Sequence, residues 1–164
     1  MQASKIPYLK PLSPSEPSLG SLVHDLARLL RRNFNRRAQD LGLTQAQWRA
    51  LAYLSRNEGI NQACLAEHLD VQPISTARLI DRMQASGWVE RRPDPQDRRA
   101  VRLYLTEKAQ PLLARIWSLA AQTQAEALAG LSEDRYRRLM QALGCIKRNL
   151  VEAEANTNSV ADKK

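Results

Sequence analysis

The fold of this chain is decided by one stretch, residues 87–106, which reads GWVERRPDPQDRRAVRLYLT. Residues 88–92 are typical of a strand, and residues 93–97 of a turn, because two prolines and two aspartates cannot continue a β-ladder. Residues 99–105 alternate apolar Val101, Leu103 and Leu105 with polar neighbours, as a half-buried second strand does. The stretch therefore predicts a β-hairpin with a charged turn.

The residues before the hairpin predict a helix-turn-helix. Asn61 is suited to cap a short helix over residues 62–69, and a tight connection follows at residues 70–72. Pro73 fits the first turn of the next helix, which runs to about Ser86 and stops at Gly87. In a helix-turn-helix the second helix enters the major groove of DNA, and a hairpin directly behind it is a wing.

Further helices are expected on both sides of this lobe. Thr44 and Gln47 form a capping box for a helix that runs to Asn57. Thr106 is expected to cap a long helix that reaches about Leu128 and is slightly kinked at Pro111. We expect a flexible proline-rich arm at residues 1–17, dimerisation helices at 18–42 and 107–151, the winged lobe at 43–106, and a polar tail at 152–164.

The predicted fold is thus mainly α with a small β-hairpin wing: a winged helix-turn-helix with flanking dimerisation helices. The flanking helices have apolar stripes, and little else in 164 residues is left to cover them. Uncovered, they would form a larger apolar patch than monomers usually expose. A twofold-symmetric homodimer is the common solution, and it matches a pseudo-palindromic DNA site.

Composition restricts the class of partner. The net charge is +8 and the pI is near 10.0, with arginine as the main basic residue, which favours a polyanion such as DNA. No apolar run is long enough for a membrane span, and residues 1–5 are not followed by the apolar segment of a secretory signal. With two cysteines, the sequence indicates a soluble cytoplasmic protein with reduced thiols and no membrane partner.

Candidate DNA contacts lie on the second helix and on the hairpin. With Ile80 and Met83 inward, Ser75, Arg78 and Arg82 face outward, and Gln72 and Thr76 at the helix start complete the set. Arginine can bind guanine with two hydrogen bonds. These residues also fit the solvated face of an ordinary helix.

The hairpin favours the DNA-binding interpretation. Arg98 and Arg99 lie beside its turn, where they can reach a minor groove, and Asp97 can orient Arg99 through an ion pair. A solvated charged turn is the alternative.

The chain resembles the MarR family of bacterial regulators, and within it the SlyA-like branch, over about residues 19–150. The matching stretches are residues 43–48 (LTQAQW), 65–69 (LAEHL), 77–83 (ARLIDRM), 87–91 (GWVER) and 97–109 (DRRAVRLYLTEKA). The resemblance implies a repressor that binds double-stranded DNA as an intertwined homodimer. It places Ser75 and Arg78 at the major groove and Arg99 in the minor groove. It also implies release by a small aromatic acid, although Leu79 stands where some relatives have a polar residue near the ligand.

Other chemistries find less support. His24, Arg28 and Trp48 combine an aromatic wall with a cation, which suits an aromatic carboxylate effector, although Trp48 also fits a core position and Arg28 a surface one. Cys64 and His68 share a helix face, but two ligands do not make a zinc site, so no metal and no cofactor are expected. Redox sensing through Cys64 or Cys145 and non-specific nucleic-acid binding stay open. An enzyme is not expected, since the chain lacks a glycine-rich phosphate loop and a Ser/His/Asp pattern.

Overall fold

The computed structural model describes residues 17–97 and 100–161, with side chains as far as residue 155. Its helices are α1 (Leu19–Arg37), α2 (Gln45–Leu54), α3 (Gln62–Leu69), α4 (Pro73–Ala85), α5 (Gln110–Ala127) and α6 (Glu133–Ala161), and its strands are β1 (Ile60–Asn61), β2 (Val89–Pro93) and β3 (Val101–Leu105). Short 3-10 turns follow α1 and precede α5. The mainly helical winged fold is confirmed, while the predicted arm lies outside the described residues except for Pro17.

The predicted helix starts at Thr44 and Asn61 are confirmed by their side-chain bonds. The Thr44 hydroxyl accepts from the Gln47 amide at 3.3 Å, and the Gln47 side chain accepts from the Thr44 amide at 2.8 Å. Asn61 Oδ1 accepts from the Cys64 amide at 2.8 Å. These bonds satisfy amides that a helix start leaves without a partner. Helix α2, however, ends at Leu54 rather than at Asn57.

The helix-turn-helix is formed by α3 and α4. Asp70 ends α3 with a left-handed backbone, at φ 57°, and Gln72 and Pro73 then begin α4. Gly87, at φ 73°, turns the chain away after α4. The tight connection and the position of Pro73 are therefore as predicted, while the left-handed backbone of Asp70 was not predicted.

The sheet differs from the predicted hairpin because it has a third strand in the described ranges. The order is β1-β3-β2, and all pairs are antiparallel. Ile60 pairs with Leu103, so a two-residue strand before α3 joins the wing to the helix-turn-helix. Pro93 pairs with Val101 as the last residue of β2, so the turn is shorter at this end than predicted.

Two predictions about the flanking helices are wrong. Thr106 makes no capping bond, because its hydroxyl donates to the Gly87 carbonyl at 2.5 Å instead. Pro111 is the second residue of α5, where no helical hydrogen bond is lost and no kink is required. Helix α6 continues to Ala161, into the residues predicted as a polar tail at 152–164.

The chain forms two compact units that divide after Gln124. The core of the first unit joins side chains from helices and strands: Phe34, Leu51, Leu54, Leu65, Ile80, Met83, Val89, Leu103 and Ile116. In the second unit, α6 exposes Leu139, Met140, Leu143, Leu150 and Val151. Within the described ranges, none of the helices has the length and hydropathy of a membrane span.

Candidate nucleic-acid interface

Helix α4 presents a polar face to solvent because its apolar side chains anchor the opposite face. Ile80 and Met83 are fully buried, and Ser75, Arg78 and Arg82 are exposed as predicted. Arg82 Nε donates to the Arg78 carbonyl at 3.2 Å, which directs the guanidinium of Arg82 back along the helix. The exposed face is therefore a helical surface that offers hydrogen-bond donors.

The start of α4 adds an apolar residue that the sequence interpretation missed. Ile74 is 63% exposed and lies between the predicted contacts Gln72, which is also exposed, and Ser75. An exposed isoleucine at the front of such a helix can contact the methyl group of thymine. The position of Ile74, one residue after Pro73 at the start of α4, was the feature of the sequence from which its exposure could have been predicted.

Thr76 does not belong to this exposed face. Its side chain is 0% exposed, and its Oγ1 has no hydrogen-bond partner among the residues that the structure describes. The inclusion of Thr76 among the DNA contacts is therefore a mistake of helical phase: Thr76 precedes Ile80 by four residues and shares its inward direction.

Arg91 connects the wing to both helices of the helix-turn-helix. Its guanidinium donates to Asp81 Oδ1 at 2.7 Å and to Gln84 Oε1 at 2.7 Å, both on α4. It also donates to Gln62 Oε1 on α3 at 3.3 Å. Because one guanidinium bridges three elements, Arg91 holds β2 against α3 and α4 rather than facing a ligand.

The base of the wing turn is held by an ion pair. Asp94 Oδ2 lies 2.7 Å from Arg102 Nε, and Arg102 Nη1 donates to the Gly59 carbonyl at 2.8 Å. Asp94 Oδ1 accepts from the Gln96 amide at 2.8 Å. The Gln96 amide, with help from Arg102, holds the pKa of Asp94 below its ordinary value. The carboxylate is therefore charged at neutral pH.

The predicted wing contacts are only partly described. Asp97 is exposed, and its carbonyl accepts from the Ala100 amide at 2.9 Å. Arg98 and Arg99, and with them the predicted ion pair of Asp97 with Arg99, lie outside the described residues. Beside the turn, Arg92 stacks on Tyr104 at 4.3 Å and pairs with Glu90.

The three predicted effector residues lie on α1 or pack against it. Trp48 Nε1 donates to Asn35 Oδ1 at 2.9 Å, and its ring lies 4.2 Å from that of Phe34. Arg28 pairs with Asp25 at 2.9 Å, and His24 is exposed. Arg28 borders a concave region of about 420 Å³ on α1, together with Arg31, Arg32, Asn35, Arg36, Gln39 and Gln45. Neither His24 nor Trp48 borders it.

A larger cavity, of about 570 Å³, lies between the end of α2 and the start of α5. Its lining includes Arg56, Glu58, Gln110 and Trp117. The Arg56 guanidinium lies 4.4 Å from the centre of the Trp117 ring, a cation–π contact. Sequence patterns could not reveal this pair, because its members are far apart in the chain.

The cysteines are exposed, and both are free thiols. His68, which shares a helix with Cys64, stacks on Tyr53 with ring centres 3.5 Å apart. Within the described ranges, no group of three or more metal-ligating side chains comes together. His68 on α3 therefore packs against Tyr53 on α2.

Comparison with known proteins agrees with this architecture. A model of the MarR family matches residues 41–100, from the turn before α2 to the wing. The solved transcriptional regulator PA3341 is 34% identical over 82% of this chain and 99% of that chain, with a TM-score of 0.74. The regulator SlyA is 29% identical over 82% and 95%, with a TM-score of 0.69. Ligand-free MarR from E. coli is 28% identical over 79% and 96%, with a TM-score of 0.68.

Proposed function

Because the chain belongs to the MarR family of transcriptional regulators, we propose that it is a sequence-specific DNA-binding repressor. It acts as a homodimer on a pseudo-palindromic operator in the cytoplasm of a bacterial cell. The observation that carries this proposal is the exposed polar face of α4 beside a basic wing. Within the family, residues 87–91 and 97–109 favour the SlyA-like branch.

The proposed contacts divide between the two grooves. Gln72, Ser75 and Arg78 meet base edges or the adjoining backbone in the major groove, and Arg82, further along α4, meets a phosphate. Arg99 enters the minor groove with Asp97 as its orienting partner, while Arg98 contacts a phosphate. These roles rest on sequence position and on the family resemblance.

The homodimer is supported by uncovered apolar surface. Helix α1 exposes Leu19, Leu22, Val23, Leu26, Leu29 and Leu30, and α6 exposes a further apolar set. Apolar helix faces of this size favour burial against another surface. A second copy of the chain is the proposed partner because a twofold dimer matches a pseudo-palindromic site.

The proposed effector is a small aromatic carboxylate. Arg28 supplies a cation, and Trp48 supplies a half-buried ring. Arg28→Ala or Trp48→Ala should keep DNA binding and abolish release by such an acid, as measured by DNA mobility shift. If both variants still release DNA normally, these residues are not the effector site.

The DNA-binding proposal is tested by selecting bound duplexes from a random library and titrating the selected duplex with salt. Wild type should prefer the selected duplex over a scrambled one, with affinity that falls steeply as salt rises. Arg78→Ala should reduce discrimination at one base pair by about 1–3 kcal/mol. Arg137→Ala on α6 removes the same charge and is the control. Equal affinity for selected and scrambled duplexes would contradict the proposal and show that the protein binds polyanions without sequence specificity.

A further inference from the structure

The wing carries five arginines within residues 91–102, and the described ones are held differently. Arg91 bonds to α3 and α4, and Arg92 stacks on Tyr104. The guanidinium of Arg102 donates hydrogen bonds to two partners within the fold, the Asp94 carboxylate and the Gly59 carbonyl. The charge of Arg102 is therefore balanced by Asp94, as those of Arg91 and Arg92 are balanced by Asp81 and Glu90, whereas a side chain kept for phosphate needs its charge free.

Asp94 and Arg102 close the base of the turn between β2 and β3. The side chain of Asp94 is 12% exposed, and that of Arg102 is 38% exposed. The Asp94 amide donates to the Ala100 carbonyl at 3.0 Å, and its carboxylate accepts from both Gln96 and Arg102. Four bonds thus converge where the chain enters and leaves the turn, one of them from Arg102 to Gly59.

The bond to Gly59 extends this arrangement to the helix-turn-helix. Gly59 directly precedes β1, and its amide donates to the Leu103 carbonyl at 2.9 Å. Strand β1 ends at Asn61, whose side chain caps α3. A short hydrogen-bonded path therefore runs from the turn through Arg102 and Gly59 to the helix that precedes α4.

We propose that Asp94 and Arg102 are positioning residues that fix the wing turn relative to α4 and so set the base preference contributed by the wing. They act by fixing the backbone at the two ends of the turn, through the bonds of Asp94 to Ala100 and of Arg102 to Gly59, rather than by neutralising phosphates. This inference rests on the proposed DNA-binding function.

Because Asp94 and Arg102 carry opposite charges, the direction in which each substitution changes DNA affinity distinguishes an effect of charge from an effect of positioning. If charge alone mattered, Arg102→Ala would weaken DNA binding and Asp94→Asn would tighten it, since the second change makes the protein more basic. If positioning matters, both changes weaken binding to the selected duplex by about tenfold, the scale of one lost base contact. The double variant should then be no weaker than either single variant, because both remove the same link.

The readouts are affinity as a function of salt, and affinity for duplexes in which A·T pairs under the wing are changed to G·C. We expect both variants to lose A·T preference while the slope of log affinity against log salt stays at the wild-type value. Arg137→Ala, with the same loss of charge as Arg102→Ala, should keep that preference. Circular dichroism and thermal unfolding check the fold. Asp94→Asn keeps an acceptor for Gln96 and carries the test if Arg102→Ala does not fold.

Two results overturn the inference. Tighter binding by Asp94→Asn, with a slope for Arg102→Ala reduced by about 0.9, would make Arg102 a phosphate contact. Unchanged A·T preference in both variants would show that the ion pair does not direct the wing. If wild type itself shows no preference for any duplex, the proposed function fails and this inference fails with it.

Discussion

At the residue scale, the buried hydroxyl of Thr76 in α4 allows an effect on folding to be distinguished from an effect on DNA binding. Thr76 is fully buried, and its Oγ1 has no hydrogen-bond partner in the described part of the chain. A buried polar group without a partner costs stability, while valine has nearly the same shape and no such group. Thr76→Val should therefore raise the free energy of unfolding by about 1 kcal/mol, measured by urea denaturation.

The neighbouring Ser75 provides the matched control. Ser75 is exposed, so Ser75→Ala should change the free energy of unfolding by less than about 0.5 kcal/mol and lower affinity for the selected duplex. Thr76→Val should leave that affinity unchanged. A loss of DNA affinity in Thr76→Val without a loss of stability would return Thr76 to the set of DNA contacts.

At the scale of elements, the features that could be predicted from the sequence are those that depend only on residues close together in the chain. The capping bonds of Thr44 and Asn61, and the position of Pro73 at the start of α4, need only residues within one helical turn. Strand β1 was missed because two residues are too few to show a strand period. Thr106 was assigned the wrong role because its partner, the Gly87 carbonyl, is brought to it only by strand pairing.

The same reason explains which parts of the candidate site were foreseen. The outward direction of Ser75, Arg78 and Arg82 follows from helical spacing alone, and the structure confirms it. Asp94 and Arg102 are eight residues apart and meet only because the β2–β3 register brings the ends of the turn together. A local pattern of charges gave no reason to choose Asp94 over Asp97.

The contribution to stability of strand β1, which was not predicted from the sequence, can be tested by substituting Gly59. Its φ is 79°, and a Cβ built there would lie 3.0 Å from Tyr104 Oη. Gly42 also has a left-handed backbone, at φ 65°, but nothing lies within 4 Å of its Cβ position. Gly42→Ala should thus cost about 1 kcal/mol of stability from backbone strain alone, and Gly59→Ala should cost more because Tyr104 must also move.

Urea denaturation of both glycine variants measures this difference. In Gly59→Ala the altered Tyr104 should also loosen the contact between Arg92 and that ring, which tyrosine fluorescence can follow. Equal losses of stability in the two variants would show that the close approach of Gly59 to β3 contributes nothing beyond its backbone conformation.

At the scale of the whole molecule, the uncovered apolar face of α1 is the feature that a single chain leaves unexplained. Leu22 and Leu26 are each 50% exposed and are spaced by four residues, so they lie on one helix face. Burying a leucine contributes about 1.5–3 kcal/mol. A homodimer that covers this face should therefore be destroyed when both leucines become aspartate.

Analytical ultracentrifugation of Leu22→Asp/Leu26→Asp should accordingly show a monomer at concentrations where wild type is a dimer. The variant should also lose affinity for a duplex with two half-sites, because a dimer gains from binding both at once, and should bind a single half-site about as well as wild type does. Gln39→Asp adds an acidic side chain beyond the end of α1 and should remain dimeric. If the double variant stays dimeric, α1 is not part of the interface. If wild type is itself a monomer with full affinity for the selected duplex, the protein reads its operator without a partner copy.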